Sequence, residues 1–197
     1  MEINTISELN QKILEKYNSG GHSRVAGRYS ATDIYKMKRG ELTPENFFEP
    51  KPIDMKGVKN IFRGYAYESQ LLKEFEGLKI EQERNGDDQL KIEYKVNEDI
   101  TLVMKPDFVL PKVVLETKAP NKLKDEIPAW YLDQCEVQYR LLNKKIVMVL
   151  VNAGDNEYPL LLGIEYKPSE IRWKNICKVL MDFDTKLKEL TKNKNQN

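Results

Sequence analysis

Two carboxylates and a lysine fall close together near the middle of the chain, in a stretch rich in β-branched and aliphatic residues. This composition predicts two short strands, over 100–110 and 113–118, joined by a two-residue turn. The turn sets Asp107 opposite Glu116, where facing Cβ atoms on one side of an antiparallel pair are roughly 5 Å apart. Lys118 lies two residues beyond Glu116 and therefore shares its face. We predict that all three side chains meet in one patch.

These residue types at this spacing suit metal-assisted hydrolysis. Paired carboxylates bind hard cations such as Mg²⁺ through oxygen. A bound cation activates a water and neutralises charge that develops on a phosphate, and Lys118 adds a positive charge beside that water. The alternative is that Glu116 and Lys118 are solvent-facing charges and Asp107 is a turn residue. Short matches of this kind are common by chance, so the spacing alone leaves both interpretations open.

Composition restricts the classes of protein. The chain has 197 residues, of which 40% are hydrophobic and 32% are charged, and this is typical of one soluble globular domain. We expect no membrane partner, because no apolar run is long enough for a membrane span and no signal peptide opens the chain. The expected location is cytoplasmic, in the host cytoplasm if the source is viral. The net charge of +1 means that any nucleic-acid surface must be local.

The two cysteines, Cys135 and Cys177, both fall in predicted helices. They suit an intracellular, reduced protein. Two cysteines cannot by themselves form a four-cysteine iron–sulfur site, and a zinc finger is excluded for the same reason.

A helix predicted over 56–76 carries a carboxylate within its apolar face, at Glu68. Burying a carboxylate is costly unless it is paired or bound to metal, so we favour a role for Glu68 in the site. The alternative is a glutamate at the edge of the face that reaches solvent. The predicted apolar face comprises Val58, Ile61, Phe62, Tyr65, Leu72 and Phe75.

The N-terminal part reads as short helices, with a capping box at Thr5 and a helix cap at Ser30. Nine basic and five acidic residues between positions 20 and 63 give this stretch a charge of +4. Such a surface could hold a single strand by phosphate contact and base stacking. A helical cap with core aromatics is an equal alternative. The interleaved aromatic residues are Tyr29, Tyr35, Phe47 and Phe48. The only histidine, His22, reads as a surface or hydrogen-bonding residue, with a ligand or a phosphate contact as the alternative.

The rest of the chain predicts a sheet flanked by helices. Residues 78–118 read as one antiparallel meander, and a polar loop follows over 121–128. A helix over 129–142 then carries Gln134 and Gln138 one turn apart, with Trp130 among its packing residues. A continuous apolar run over 145–152 is typical of a strand covered on both faces. The remaining elements are a turn over 153–158, a strand over 159–166, a helix over 169–191 with Ile171 inward, and a disordered end over 192–197.

Taken in order, these motifs resemble the PD-(D/E)XK nuclease superfamily, from about residue 30 to residue 166. Within that superfamily the chain looks most like the RecB-type exonucleases, including the CRISPR-associated ones, related archaeal viral nucleases and lambda exonuclease. The motifs are Gly64-Tyr-Ala-Tyr-Glu68, Lys105-Pro-Asp107, Leu115-Glu-Thr-Lys118 and Asp133-Gln-Cys-Glu-Val-Gln138-Tyr139. Each motif is degenerate alone, whereas the ordered set is fairly specific.

The resemblance implies an α/β (α+β) fold with a restriction-endonuclease-like core, in which a central mixed sheet and its antiparallel meander are flanked by helices. It divides the chain into an N-terminal helical cap over 1–56, a nuclease core over 57–191 and a tail over 192–197.

The resemblance also implies roles for individual residues. Asp107, Glu116 and the Thr117 carbonyl would bind Mg²⁺ or Mn²⁺, with Glu68 as a further ligand. Lys118 would position the attacking water, and Gln134 would orient the site or the strand. The implied substrate contacts are Tyr35, Lys36, Arg63, Gln138 and Tyr139.

Three departures from the RecB-type pattern stand out. Glu68 occupies the place where a histidine usually follows the helix glycine. Tyr139 lies five residues after Gln134 instead of four, which turns it about 140° away on a helix. The four cysteines that hold an iron–sulfur cluster in many CRISPR-associated members are not present, so we expect no such cluster.

The expected function is metal-dependent hydrolysis of DNA, by an exonuclease acting on single-stranded or end-containing DNA in replication, recombination or repair. The first alternative is a sequence-specific or structure-specific endonuclease of the restriction or junction-resolvase type. The second is a non-catalytic DNA-binding protein on the same fold. DNA is the expected partner, and assembly with a second copy or with replication or recombination proteins stays open.

Overall fold

A computed structural model describes most of the chain, in residues 5–19, 24–49, 52–85, 88–120, 126–152 and 159–194. Four predicted features therefore lie partly or wholly outside the described residues: His22, most of the polar loop, the turn over 153–158 and the last residues of the tail. The five helices of the described part are α1 (Ile6–Ser19), α2 (Ala31–Lys38), α3 (Met55–Gly77), α4 (Ala129–Leu142) and α5 (Glu170–Lys194).

The helices begin where the sequence signals predict. Thr5 and Glu8 exchange the two hydrogen bonds of a capping box at α1. Ser30 and Asp33 do the same at α2, and the Asp54 side chain caps α3. Each cap gives unpaired backbone N–H groups of the first turn a partner. None of the described helices is long and apolar enough to cross a membrane.

Nine short strands in the described part form three sheets. A four-stranded sheet has the order β6-β7-β8-β9, a three-stranded sheet has the order β1-β5-β4, and β2 and β3 form a hairpin. The strands are β1 (Arg28–Ser30), β2 (Arg84–Asn85), β3 (Asp88–Gln89), β4 (Ile92–Lys95), β5 (Thr101–Met104), β6 (Phe108–Val109), β7 (Val113–Lys118), β8 (Lys145–Val151) and β9 (Leu161–Glu165).

The four-stranded sheet is mixed and forms the centre of the molecule. β7 runs parallel to β8, whereas β6 and β9 are antiparallel to their neighbours. The predicted continuous apolar strand is confirmed as β8, with both Ile146 and Met148 buried in one core cluster with Cys135 of α4. The predicted fold class is also confirmed, because a mixed sheet is flanked by helices.

The three-stranded sheet carries a second core cluster, in which the N-terminal segment packs with the rest of the chain. β1 pairs in parallel with β5, and α2 packs on α4 and α5. Tyr29 and Phe47 are buried here and pack edge to face against each other and against Phe183. The interpretation of these two aromatics as core residues is therefore confirmed.

The predicted single strand over 100–110 is wrong. It is interrupted at 105–107, and its two halves, β5 and β6, belong to different sheets. Pro106 explains the break, because proline has no N–H for a sheet ladder. The single meander over 78–118 is wrong for the same reason, and also at its start. There the left-handed Lys79 (φ 55°) follows the end of α3, and residues 78–83 form no strand.

Several predicted packing residues are exposed. α3 presents Phe62 and Tyr65 to solvent and buries Leu71, so its apolar face is rotated from the predicted one. Trp130 and Ile171 lie in the first turns of α4 and α5 and are also exposed. α5 continues three residues beyond the predicted end at 191, because Lys192–Lys194 extend the last turn as helix. The periodicity of apolar residues predicts which side chains share a helix face, but it does not predict how much of that face the neighbouring elements cover.

Candidate active site

The hairpin of β6 and β7 brings the two carboxylates together in the predicted register. Phe108 pairs with Leu115 and Val109 with Val114, so Asp107 stands opposite Glu116. The Asp107 Oδ2 atom accepts hydrogen bonds from the Thr117 backbone N–H at 2.7 Å and from the Thr117 hydroxyl at 2.8 Å. These two bonds fix the Asp107 carboxylate against β7, although Asp107 itself lies outside the strands.

Glu116 is almost completely buried, with 1% of its surface exposed. Its Oε1 atom accepts hydrogen bonds from Lys118 and from the Gln134 side-chain amide, and its Oε2 atom accepts one from Gln138. α4 supplies both amides because residues four apart lie on the same helix face. A buried carboxylate is thus compensated by one positive charge and two N–H donors.

Lys118 is held charged beside the two carboxylates. Burial alone would lower the pKa of this lysine, but the negative charges of Glu116 and Asp107 outweigh burial and raise it. Its ammonium group also lies 5.2 Å from the centre of the Tyr131 ring, within cation–π range. Lys118 therefore remains a cation throughout the physiological pH range.

The pKa of the Asp107 carboxyl is also raised, which for a carboxyl favours the uncharged form. Burial, followed by the nearby charge of Glu116, raises the pKa of the Asp107 carboxyl to about 7, and Lys118 only partly opposes the shift. This is the behaviour of two carboxylates that share a site without a cation between them.

Glu68 faces the same site from α3. Burial raises the pKa of its carboxyl, and the charges of Lys118 and Glu116 both act on it. With Thr117 and Lys118, Glu68 lines a cavity of about 620 Å³. Within the described residues, no three His, Cys, Asp or Glu side chains lie close enough together to hold a metal ion by themselves.

The donor chemistry of the pair fits a hard divalent cation. Asp107 and Glu116 supply oxygen atoms of adjacent carboxylates, and the raised pKa of Asp107 marks a local excess of negative charge. Mg²⁺ suits such a pair because it retains several waters and needs only one or two protein carboxylates. A cation between the two would remove their repulsion.

The predicted substrate residues occupy different places. Arg63 lines the cavity beside Glu68, and Gln138 is buried behind Glu116. Tyr139 packs against the core cluster of the four-stranded sheet, with the Arg140 guanidinium over its ring. Tyr35 and Lys36 are half-buried on α2, where the Tyr35 hydroxyl accepts a hydrogen bond from Arg39. Of these five, Arg63 lines the cavity and Gln138 donates a hydrogen bond to a site carboxylate.

Sequence reasoning missed several residues that line the cavity, among them Lys56, Tyr131 and Trp130. Lys56 lies seven residues before Arg63, two helical turns away on the same face of α3. Tyr131 lies three residues before Gln134, so α4 presents both to the site. Trp130 was assigned to packing. The helical spacing from Arg63 and Gln134 is the signal that could have found Lys56 and Tyr131.

Comparisons with known proteins show what the fold of this chain is similar to. No protein-family model and no curated protein sequence matches the chain. Its structure, however, shares the fold of an alkaline exonuclease.

That enzyme is LHK-Exo from Laribacter hongkongensis, which matches with a TM-score of 0.59 and 10% identity, over 92% of this chain and 98% of that one. The structure of LHK-Exo in complex with dAMP also matches, with a TM-score of 0.59 and 13% identity, over 87% and 95% of the two chains. The crystal structure of SSO0001 matches with a TM-score of 0.60 and 18% identity, over 91% and 85%.

Proposed function

We propose that the chain is a divalent-metal-dependent deoxyribonuclease of the RecB type, an exonuclease acting on single-stranded or end-containing DNA. One observation carries this proposal: a buried glutamate, Glu116, is held by Lys118 and two amides directly opposite Asp107. The shared fold with an alkaline exonuclease and the order of the motifs support it.

The arrangement of Glu116 and Asp107 is unusual for a purely structural ion pair. Glu116 has a cation and two amide donors, whereas its neighbour Asp107 is left with a raised pKa. A fold selected for stability alone would not place a second carboxylate there, because like charges at this distance disfavour the folded state. Glu68, whose carboxyl pKa is also raised, lines the cavity beside this pair. Perturbed carboxylates at a cavity are typical of sites that bind a cation or move a proton.

The proposed roles of the site residues are as follows. Asp107 and Glu116, with the Thr117 carbonyl, would hold Mg²⁺ or Mn²⁺, and Glu68 would be a further ligand. When bound, the cation supplies Lewis-acid activation of a water and neutralises charge on the phosphate. Lys118 orients the attacking water and stabilises the negative charge that develops on the phosphate oxygens. Gln134 and Gln138 hold Glu116 in place.

A nuclease assay tests the proposal. End-labelled single-stranded and double-stranded DNA is incubated with Mg²⁺, with Mn²⁺ or with chelator, and cleavage is expected only with metal. Asp107→Ala, Glu116→Ala and Lys118→Met should each abolish cleavage while the circular dichroism spectrum stays unchanged. Full activity in any of them would contradict the assignment of the site.

Lys112→Met is the matched control, because Lys112 is an exposed lysine in the turn of the same hairpin. It should cleave at the wild-type rate. The length of the products distinguishes the type of nuclease: mononucleotides or a ladder from one end indicate an exonuclease, and discrete internal cuts indicate an endonuclease.

A further inference from the structure

Trp130, the second residue of α4, exposes 46% of its surface. It lines the cavity that also contains Thr117 and Lys118. Trp130 therefore presents much of a large aromatic side chain to solvent beside Lys118. This exposure is unusual, because a tryptophan side chain normally buries most of its large surface.

The Trp130 ring is held in place from behind. It packs against Tyr131, with ring centroids 5.7 Å apart and planes 61° apart. Tyr131 in turn lies under the Lys118 ammonium group. Three side chains thus form a row from the reacting end of the site to its rim, in the order Lys118, Tyr131, Trp130. A ring fixed in this way loses little conformational freedom when a ligand covers it.

The opposite wall of the cavity is cationic and polar. Lys56, Asn60 and Arg63 extend along one face of α3 toward Glu68. Lysine and arginine are the residues that contact phosphates, and they do so without reading base sequence. The cavity of about 620 Å³ falls within the roughly 300–1,000 Å³ usual for sites that enclose a small ligand, so a nucleotide fits.

We propose that Trp130 stacks on the base of the nucleotide next to the scissile phosphate, while Lys56 and Arg63 contact the backbone on the other side. This inference rests on the proposed function and extends it to the substrate. Inside a duplex both faces of a base are covered by its neighbours. Trp130 can therefore stack only on a base with a free face, in a single strand or at a strand end, and the residue favours such DNA.

Base-dependent binding tests the role of Trp130 without relying on cleavage. Fluorescence anisotropy in chelator measures the affinity for labelled oligothymidylate and for an abasic oligonucleotide of equal length and charge. Trp130→Ala should weaken binding of oligothymidylate roughly 5- to 150-fold, the range for losing one base–aromatic stack. Binding of the abasic strand should be unchanged, and Trp130→Phe should restore most of the affinity for oligothymidylate.

Tyr94→Ala is the matched control. Tyr94 exposes 41% of its surface and packs edge to face against an aromatic neighbour, Trp173, but it does not line the cavity. It should bind both strands like the wild type. Equal losses for both strands in Trp130→Ala would overturn the stacking role, and so would wild-type affinity for oligothymidylate.

Tryptophan fluorescence gives a direct second measurement. The chain has two tryptophans, so Trp173→Phe leaves Trp130 as the single reporter. Its emission should be quenched by oligothymidylate and not by the abasic strand. An unquenched signal at saturating oligothymidylate would overturn the inference.

The outcomes separate the two proposals. Cleavage by the wild type together with base-independent binding contradicts only the stacking role. Base-dependent binding through Trp130 without metal-dependent cleavage contradicts only the nuclease function. A wild-type protein that binds neither strand in chelator overturns the stacking role, and one that also fails to cleave DNA with Mg²⁺ or Mn²⁺ overturns both proposals.

Discussion

Gln138 donates its side-chain amide to Oε2 of Glu116, and this contact is buried from both sides. The other end of the same side chain, Oε1, is buried without a hydrogen-bond donor among the described residues. A buried carbonyl oxygen without a donor costs stability, typically about 1–3 kcal/mol. Gln138 is therefore poorly suited to be a purely structural residue, and its contact with Glu116 explains its presence.

Gln138→Leu should slow DNA cleavage strongly, because Glu116 loses the donor that fixes Oε2. It should lower the free energy of unfolding by no more than about 1–2 kcal/mol, since the buried Glu116 oxygen loses its donor while the unpaired Oε1 atom of Gln138 is removed as well. Steady-state cleavage rates and urea denaturation measure the two effects. Gln70→Leu is the control, because Gln70 makes an exposed hydrogen bond to Glu74 on α3. A variant at 138 with the wild-type rate would show that Gln138 does not position Glu116.

Glu68→Ala should weaken Mn²⁺ binding without lowering stability in chelator. Burial raises the pKa of the Glu68 carboxyl, so its ionised form is disfavoured in the metal-free protein and its removal costs the fold little. Isothermal titration with Mn²⁺ should show a dissociation constant raised several-fold. Glu76→Ala, an exposed glutamate at the end of the same helix, is the control. If both variants bind Mn²⁺ like the wild type, Glu68 does not act on the metal.

Asp107→Asn should raise the melting temperature in chelator and abolish cleavage. The folded state raises the pKa of Asp107 from 3.8 to about 7, so between these values the unfolded chain binds fewer protons than the native one. The free energy of unfolding of the wild type should therefore fall as the pH rises from about 4 to about 7, and the variant should not show this decrease. Thermal melts across this range make the comparison.

Mg²⁺ provides the complementary measurement on the same pair. Only the folded protein presents both carboxylates, so Mg²⁺ should raise the melting temperature of the wild type at neutral pH, increasingly with its free concentration. Asp107→Asn should gain little. If the variant melts lower than the wild type in chelator and still shifts normally with Mg²⁺, the two carboxylates are not apposed metal ligands.

Asp133→Ala should destabilise the protein by about 1–3 kcal/mol, because a buried carboxylate with three hydrogen bonds is lost. Its partners are the Lys38 ammonium group, 2.9 Å from each oxygen, and Arg172 at 3.2 Å, so it joins α2, α4 and α5. Glu165→Ala removes the exposed pair with Lys145 and should cost less than about 1 kcal/mol. If urea denaturation shows the same decrease in the free energy of unfolding for Asp133→Ala and Glu165→Ala, burial does not make the contacts of Asp133 more stabilising than an exposed pair.

Local signals in the sequence predicted most of what holds the site. The turn length of the β6–β7 hairpin gave the correct register for Asp107 and Glu116, because one residue of slippage would turn a strand's side chains to the other face. Helical spacing placed Gln134 and Gln138 on one face of α4. These relationships depend only on neighbours in the chain, and neighbours are visible in a sequence.

Long-range relationships could not be predicted in the same way. The sequence did not reveal that β1 pairs with β5, that Pro106 sends β5 and β6 into different sheets, or that Trp130 is left uncovered. Each of these features depends on which distant segment of the chain packs against the residues concerned. The intrinsic propensity of a residue contains no information about its distant neighbours. The two amide contacts to Glu116 likewise needed the docking of α4 on β7.

The hydroxyl of Tyr29 donates to Asp184 at 2.6 Å, across 155 residues of chain. A protein emerges from the ribosome beginning with its N-terminus, so β1 is synthesised long before its partner in α5 exists. Until α5 is released, Tyr29 and the core around it lack one wall and expose apolar surface. Folding of this half must therefore wait until α5 has been synthesised, and the nascent chain before that point is the form most exposed to aggregation.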